Sequence, residues 1–175
     1  EAWPCRPTST RSQRRLEAEN AWHALARRPS LLPVHIFRLA GIYGPGRSAL
    51  DSVRAGTAKR IDRPRQRFAR IHVDDVANVL AASIARPHPG AIYNVSDDEP
   101  APPAAVTEEA CRLLGVPPPP MLSFAEVSKA MSPMARGFWR DDRFMLNYRI
   151  KTELGVKLLY PDYRAGLKAI LDAGG

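Results

Sequence analysis

The sequence predicts an α/β fold on three observations. Val34 to Leu39 is a short apolar run rich in β-formers, bounded by Pro33 and Gly41, as suits a parallel strand buried on both faces. Just upstream, Ser12 to Arg28 places Leu16, Ala21-Trp22 and Leu25 at helical spacing with no internal Gly or Pro until Pro29. The same alternation of strand and helix then recurs downstream.

Ala69 to Val73 reads as a brief strand, with Asp74 as the cap of a helix over Asp75 to Arg86 that aligns Val76, Val79, Leu80 and Ile84 on one face. Ala91 to Val95 is a further strand. Thr107 is expected to cap a helix whose first turn carries Glu108 and Glu109 and which stops at Gly115. Pro117 to Pro120 is read as a spacer between helices, since apolar periodic sequence resumes at Met121. A weak helix over Phe124 to Met131, an aromatic segment with Phe138 and Trp139, and a helix from Asn147 to Leu154 follow. Lys157 to Tyr160 is a candidate strand, and Asp162 to Ala173 the last helix. There is no internal repeat. The division expected is 1–116 for the sheet portion and 117–175 for a small, mostly helical cap interleaved with it.

The chain has 175 residues, 45% of them hydrophobic, enough for one substantial core. No apolar run approaches the roughly 20 residues needed to span a bilayer, so no membrane partner is expected. Cys5 and Cys111 lie far apart and near no histidine cluster, which implies neither a disulfide framework nor a zinc site and suggests a reducing, cytoplasmic setting. The net charge of +8 is mostly arginine spread along an Ala- and Pro-rich chain. Its densest part, Arg54, Lys59, Arg60, Arg63, Arg65, Arg67 and Arg70, lacks hydrophobic periodicity and reads as a surface loop. Phosphate contact there is the sharper alternative. Nucleic-acid binding is the weakest reading, because Phe68 alone interleaves the charges as a stacking platform.

Gly44-Pro45-Gly46-Arg47-Ser48-Ala49 follows a strand and formally matches a dinucleotide-binding glycine motif. Pro45 has no N–H to offer a phosphate, and no second strand ending in an acid follows, so a turn into a short helix is the better reading. His72 reads as structural for want of a partner nucleophile. Asp74-Asp75 and Asp97-Asp98-Glu99 are assigned to a helix cap and a Pro-bounded loop rather than to a metal.

Three motifs carry a resemblance. Arg38, then Ile42-Tyr43-Gly44-Pro45-Gly46, is one; Ile71-His72-Val73-Asp74-Asp75-Val76-Ala77 is the second; Tyr93-Asn94-Val95 is the third. In this order and spacing, with Pro7-x-Ser9 and Leu16-x-Ala18-Glu19 upstream, they resemble the extended, atypical short-chain dehydrogenases/reductases of the NAD-dependent epimerase/dehydratase-like family. The segment Tyr160 to Leu167 is similar to the end of an atypical subgroup. The resemblance implies the C-terminal portion of a doubly wound Rossmann-type parallel sheet, with a cofactor-binding half expected to precede Glu1. It further implies NAD or NADP as cofactor, which the chain by itself is not expected to bind tightly, a small-molecule substrate, and a fold open to homo-oligomers.

The departures bear on chemistry. Family members place Tyr-x-x-x-Lys just before Leu-x-Ala-Glu; here those positions are Arg11 and Arg15. Arginine stays protonated and cannot exchange a proton with a substrate hydroxyl. The catalytic residue is therefore unknown. Arg15 could still hold a ribose, with Leu39 and Ile42 at backbone positions beside the nicotinamide. Gly41, Tyr43 and Arg70 are expected on the substrate side; Gly41 stands where relatives often have a substrate-reading asparagine, and Phe68 where they have an arginine. A non-catalytic dinucleotide-binding or scaffold protein of the same fold is the alternative.

Overall fold

A computed structural model describes residues 5–26, 33–140 and 144–174. In chain order its elements are α1 (Thr10–Ala26), β1 (Ile36–Leu39), β2 (Gly41–Tyr43), α2 (Ala49–Arg54), β3 (Arg60–Asp62), β4 (Arg70–His72), α3 (Val73–Ala85), β5 (Ile92–Val95), α4 (Pro103–Leu114), β6 (Met121–Ser123), α5 (Phe124–Lys129), α6 (Pro133–Arg140), α7 (Tyr148–Thr152) and α8 (Tyr163–Asp172). The architecture is α/β, and all three strand pairs are parallel.

β1 pairs with β5 from Ile36 opposite Ile92 to Leu39 opposite Val95. At Ala40 the chain changes partner: Ala40 N–H still donates to Val95, but Gly41 N–H donates to Ala69, and β2 continues beside β4. Asp97 N–H donates to the Arg70 carbonyl at 2.6 Å, so β5 hands its chain to β4 at the same level. Thus the carboxyl ends of β2, β4 and β5 converge.

Two cores flank this seam. One packs Tyr43, Leu50, Val106, Ala110, Tyr163, Leu167 and Ile170 between α2, α4 and α8. The other packs Ile71, Val79, Tyr93, Val95, Ile150, Leu154 and Val156 around β4 and β5. Each draws on residues before and after position 117. Full burial of side chains such as Leu50 or Leu167 is worth roughly 1.5–3 kcal/mol apiece.

Several elements differ from expectation for identifiable reasons. The first strand begins at Ile36, because the Val34 carbonyl is taken instead by Gly90 N–H. His72, not Asp74, caps α3: β4 runs straight into the helix, and His72 Nδ1 accepts the Asp74 N–H at 3.2 Å. Thr107 lies inside α4, which starts earlier because Pro103 needs no N–H partner in a first turn; Thr107 Oγ1 donates to the Pro103 carbonyl. The basic stretch is not all loop, since it contains β3 with buried Ile61, paired to the unforeseen β6 that follows the prolines. Lys157 to Tyr160 forms no strand. The carboxylate of Asp75 takes the amides of Leu159 and Tyr160 at 2.7 and 3.0 Å in place of a ladder. The aromatic segment is helical, as α6. The expected end of the first helix, Arg28, lies outside the described residues, in which α1 runs from Thr10 to Ala26.

Candidate substrate-side cavity

Where β2 ends, Gly44 and Arg47 exchange backbone hydrogen bonds in a tight turn, which Gly46 completes at φ +73. A β-carbon on Gly44 would fall 2.7 Å from Val73 Cγ1, so any side chain there requires Val73 to move. Ser48 then caps α2 in a reciprocal box: its N–H and hydroxyl both donate to Asp51 Oδ2, at 2.7 and 2.6 Å. Gly44, Arg47 and Ser48 thus bond within the turn and its cap, and Asp51 is held below the ordinary carboxylate range by the Ser48 hydroxyl.

Between this turn, β4, α4 and α8 lies a cavity of about 480 Å³. Ile42, Val106 and Leu167 form its apolar wall; Arg47, Ser48, Arg70 and Tyr163 are polar. Arg70 is half-buried at the start of β4 and is braced by Nη1, which donates to the carbonyls of Phe68 and Ala101 at 2.8 and 3.1 Å. Burial lowers its pKa, opposed by the negative charge of Asp97.

Asp97 is 1% exposed, and neither carboxylate oxygen has a hydrogen-bond partner of ordinary geometry among the described residues. The amides of Glu99 and Arg70 approach it and, with the Arg70 guanidinium, favour its charge. Burial outweighs them and pushes the carboxyl up to about 7. Tyr43 sits in the core beneath the cavity, with its hydroxyl 3.5 Å from the Asp162 carbonyl. Burial, then Asp97, Asp75 and Asp162, raise the phenol well above its usual value, so it does not ionise near neutrality. His72 packs edge-on to Tyr43 at 5.2 Å and tilted on Tyr160 at 4.2 Å; burial lowers its pKa and favours the neutral ring.

The residues singled out in the sequence fall into two groups. Ile42, Tyr43 and Arg70 line this cavity. Arg15 and Leu39 instead line a separate groove between α1 and β1, shared with Leu16, Trp22 and Phe37. An ion pair from Arg38 to Glu19 fastens α1 across it. Arg11 is exposed, and Gly41, also exposed, lies at the β1–β2 junction. Asp97, Arg47, Ser48 and Tyr163 were not foreseen as site residues. Asp97 stood in view as one of three consecutive acids, but nothing local marks which of them the fold buries. Part of the basic stretch is committed within the chain: Arg60 pairs with Glu108, and Arg63 donates to the Trp139 carbonyl at 2.7 Å while lying over Phe124. Among the described residues no group of three metal-ligating side chains is assembled, and no helix is long and apolar enough to cross a membrane.

No protein-family model matches the chain. A curated relative, a 3-diazoavenalumate denitrifying reductase from a Streptomyces species, is 31% identical over 141 residues, 75% of this chain and 45% of the relative. A conserved protein of unknown function from Silicibacter pomeroyi is 50% identical, with a TM-score of 0.91 over 99% of this chain and 59% of that one. The dTDP-glucose 4,6-dehydratase of Bacillus anthracis, solved in complex with NAD, is 18% identical with a TM-score of 0.74 over 98% of this chain and 54% of that one. The chain spans about half the length of the proteins it matches.

Proposed function

We propose that this chain, which has the fold of the NAD-dependent epimerase/dehydratase-like short-chain dehydrogenases/reductases, forms the substrate side of an NAD(P)-dependent oxidoreductase site. Residues 1–116 would carry the sheet and 117–175 the cap over it. The observation that carries the reading is the cavity at the carboxyl ends of parallel strands, where open α/β sheets bind ligands, lined by Ile42, Tyr43 and Arg70. Neighbours in this fold are complexes with NAD or NADPH.

The residues fit one end of such a cofactor. Arg15 can donate to ribose hydroxyls, and Leu39, 44% exposed, offers an apolar surface beside a nicotinamide ring. When bound, the cofactor supplies the hydride-exchanging ring. The turn from Gly44 to Ser48 does not fit a pyrophosphate, because the amides of Gly44, Arg47 and Ser48 and the Ser48 hydroxyl are already bonded within the turn and the α2 cap, and Pro45 has no N–H to give. Phosphate contacts would belong to the part of the longer relatives that this chain does not cover. Arg11 and Arg15 replace the family's proton-relay tyrosine and lysine, and this favours a second reading, a dinucleotide-binding scaffold without turnover.

Titration calorimetry with NAD and NADP distinguishes these from an unrelated role. This chain joined to the uncovered part of the Silicibacter pomeroyi protein should bind one of them with micromolar affinity, weakened by Arg15→Ala, while this chain alone binds far more weakly. Absence of binding by the joined protein would overturn the proposal. Binding without turnover over a panel of sugars and hydroxy acids would select the scaffold.

A further inference from the structure

We infer that Arg70 and Asp97 form a proton-linked anion site, in which the cavity holds a ligand with an anionic head on the Arg70 guanidinium and an apolar body against Ile42, Val106 and Leu167. The inference rests on reading this cavity as the substrate side, and it names the ligand's chemistry and its control.

The wall explains the charge preference. Arg47 and Arg70 contribute two cations and Tyr163 a hydroxyl, while the acid that lines the cavity with them, Asp51, is spent with the Ser48 hydroxyl on the α2 cap. Arg70 is held rather than neutralised: Nη1 rests on two backbone carbonyls, which fix its plane and leave its full charge. Other acids near the site have partners of their own. Glu99 pairs with Arg164 and Glu109 with Arg112, each at 2.7 Å, and Asp162 caps α8. Asp75 is occupied by the amides of Leu159 and Tyr160. Asp98 is paired with Lys151 on the exposed side.

Asp97 is the exception: its carboxyl is buried without a hydrogen-bond partner of ordinary geometry among the described residues, and its own N–H, bound to the Arg70 carbonyl, keeps it next to Arg70 in the fold. When ionised it offers Arg70 an internal counter-charge that competes with a bound anion; when protonated it does not. Anion and proton must therefore favour one another's binding, by the same factor in both directions. The groups facing the pair are Tyr43, Tyr163 and Asp98, and both phenols are raised by burial and stay neutral throughout the range concerned.

Sulfate is a suitable probe because its charge does not change between pH 6 and pH 8.5, and malonate separates carboxylate from tetrahedral oxyanion recognition. Calorimetric titration of the chain with each should show sulfate affinity falling at least about fivefold from pH 6 to pH 8.5. Arg70→Met should abolish binding. Asp97→Asn, which preserves shape, should bind at pH 8.5 as the parent does at pH 6, with no fall between them. In the unmodified chain, carbon-13 NMR of the Asp97 carboxyl should show its titration midpoint raised by saturating sulfate, a readout independent of how any variant folds. A preference for malonate would assign the head as a carboxylate, the reverse as a phosphoryl or sulfuryl group. Sulfate binding that survives Arg70→Met, a pH dependence that persists in Asp97→Asn, or an Asp97 midpoint indifferent to sulfate would overturn the inference. None of these readouts involves cofactor or turnover, so the proposed oxidoreductase role stands or falls separately.

Discussion

Tyr43 and Gly166 are fitted to one another: a β-carbon on Gly166 would lie 2.0 Å from the Tyr43 hydroxyl oxygen and 2.7 Å from the ring carbon bearing it. The hydroxyl end of the Tyr43 ring thus lies against α8 at Gly166, and the missing side chain sets how closely that helix approaches the sheet.

Gly166→Ala should therefore destabilise the protein by roughly 1–3 kcal/mol, although alanine is the better helix former. In a Tyr43→Ala background the same substitution should cost less, because the clash is gone, and a double-mutant cycle by urea unfolding measures the difference. Additive effects would mean that α8 relaxes freely and that the fit does not constrain it.

Asp97 makes stability depend on pH. Its carboxyl is raised from the ordinary 3.8 to about 7 in the folded chain. The native state consequently binds the proton more tightly than the unfolded state does. This stabilisation is complete below the unfolded value and is lost as pH rises from about 4 through about 7. Relative to Asp97→Asn, the unmodified protein should lose roughly 2–4 kcal/mol between pH 4 and pH 8, read from urea midpoints at both. Parallel pH profiles for the two proteins would count against a buried, titrating Asp97.

Asp75 has the opposite circumstance, being fully buried but doubly hydrogen-bonded. Asp75→Ala should release residues 157–160 from α3 at a cost of roughly 2–4 kcal/mol, since two amides lose a charged acceptor. Hydrogen exchange should accelerate first at the Leu159 and Tyr160 amides. Unchanged protection there would show that other contacts hold the segment.

Among the described residues, β1 pairs on one edge only, with β5, and Trp22 and Leu39 lie 54% and 44% exposed along the groove beside it. An open edge next to apolar surface favours association. Sedimentation should show the chain self-associating with rising concentration, and Leu39→Lys should reduce it. A monomer at all concentrations with a sharp two-state melt would contradict this.

Period and punctuation in the sequence determined the α/β class, the strands around Ile71 and Tyr93, and the capped helix after Asp162, because in each of these the local pattern and the buried face coincide; the strand around Phe37 was also legible, but it is half-buried with Leu39 exposed rather than buried on both faces. The turn at Gly44-Pro45-Gly46 was legible for the same reason, its chemistry being set by Pro45 and by the space available at Gly44. Tertiary structure decided the rest. β3 and β6 are three residues each and stand in basic and proline-rich surroundings, so only their pairing with one another makes them strands. Residues 157–160 have the composition of a strand but lose it to a carboxylate eighty-odd positions away in the chain. The site is the sharpest case. Asp97, Asp98 and Glu99 are chemically alike in sequence, yet folding leaves Asp98 in solvent with Lys151, pairs Glu99 with Arg164, and buries Asp97 beside Arg70. A carboxyl's proton affinity is set by the water and charge around it, and that environment exists only once distant segments have met.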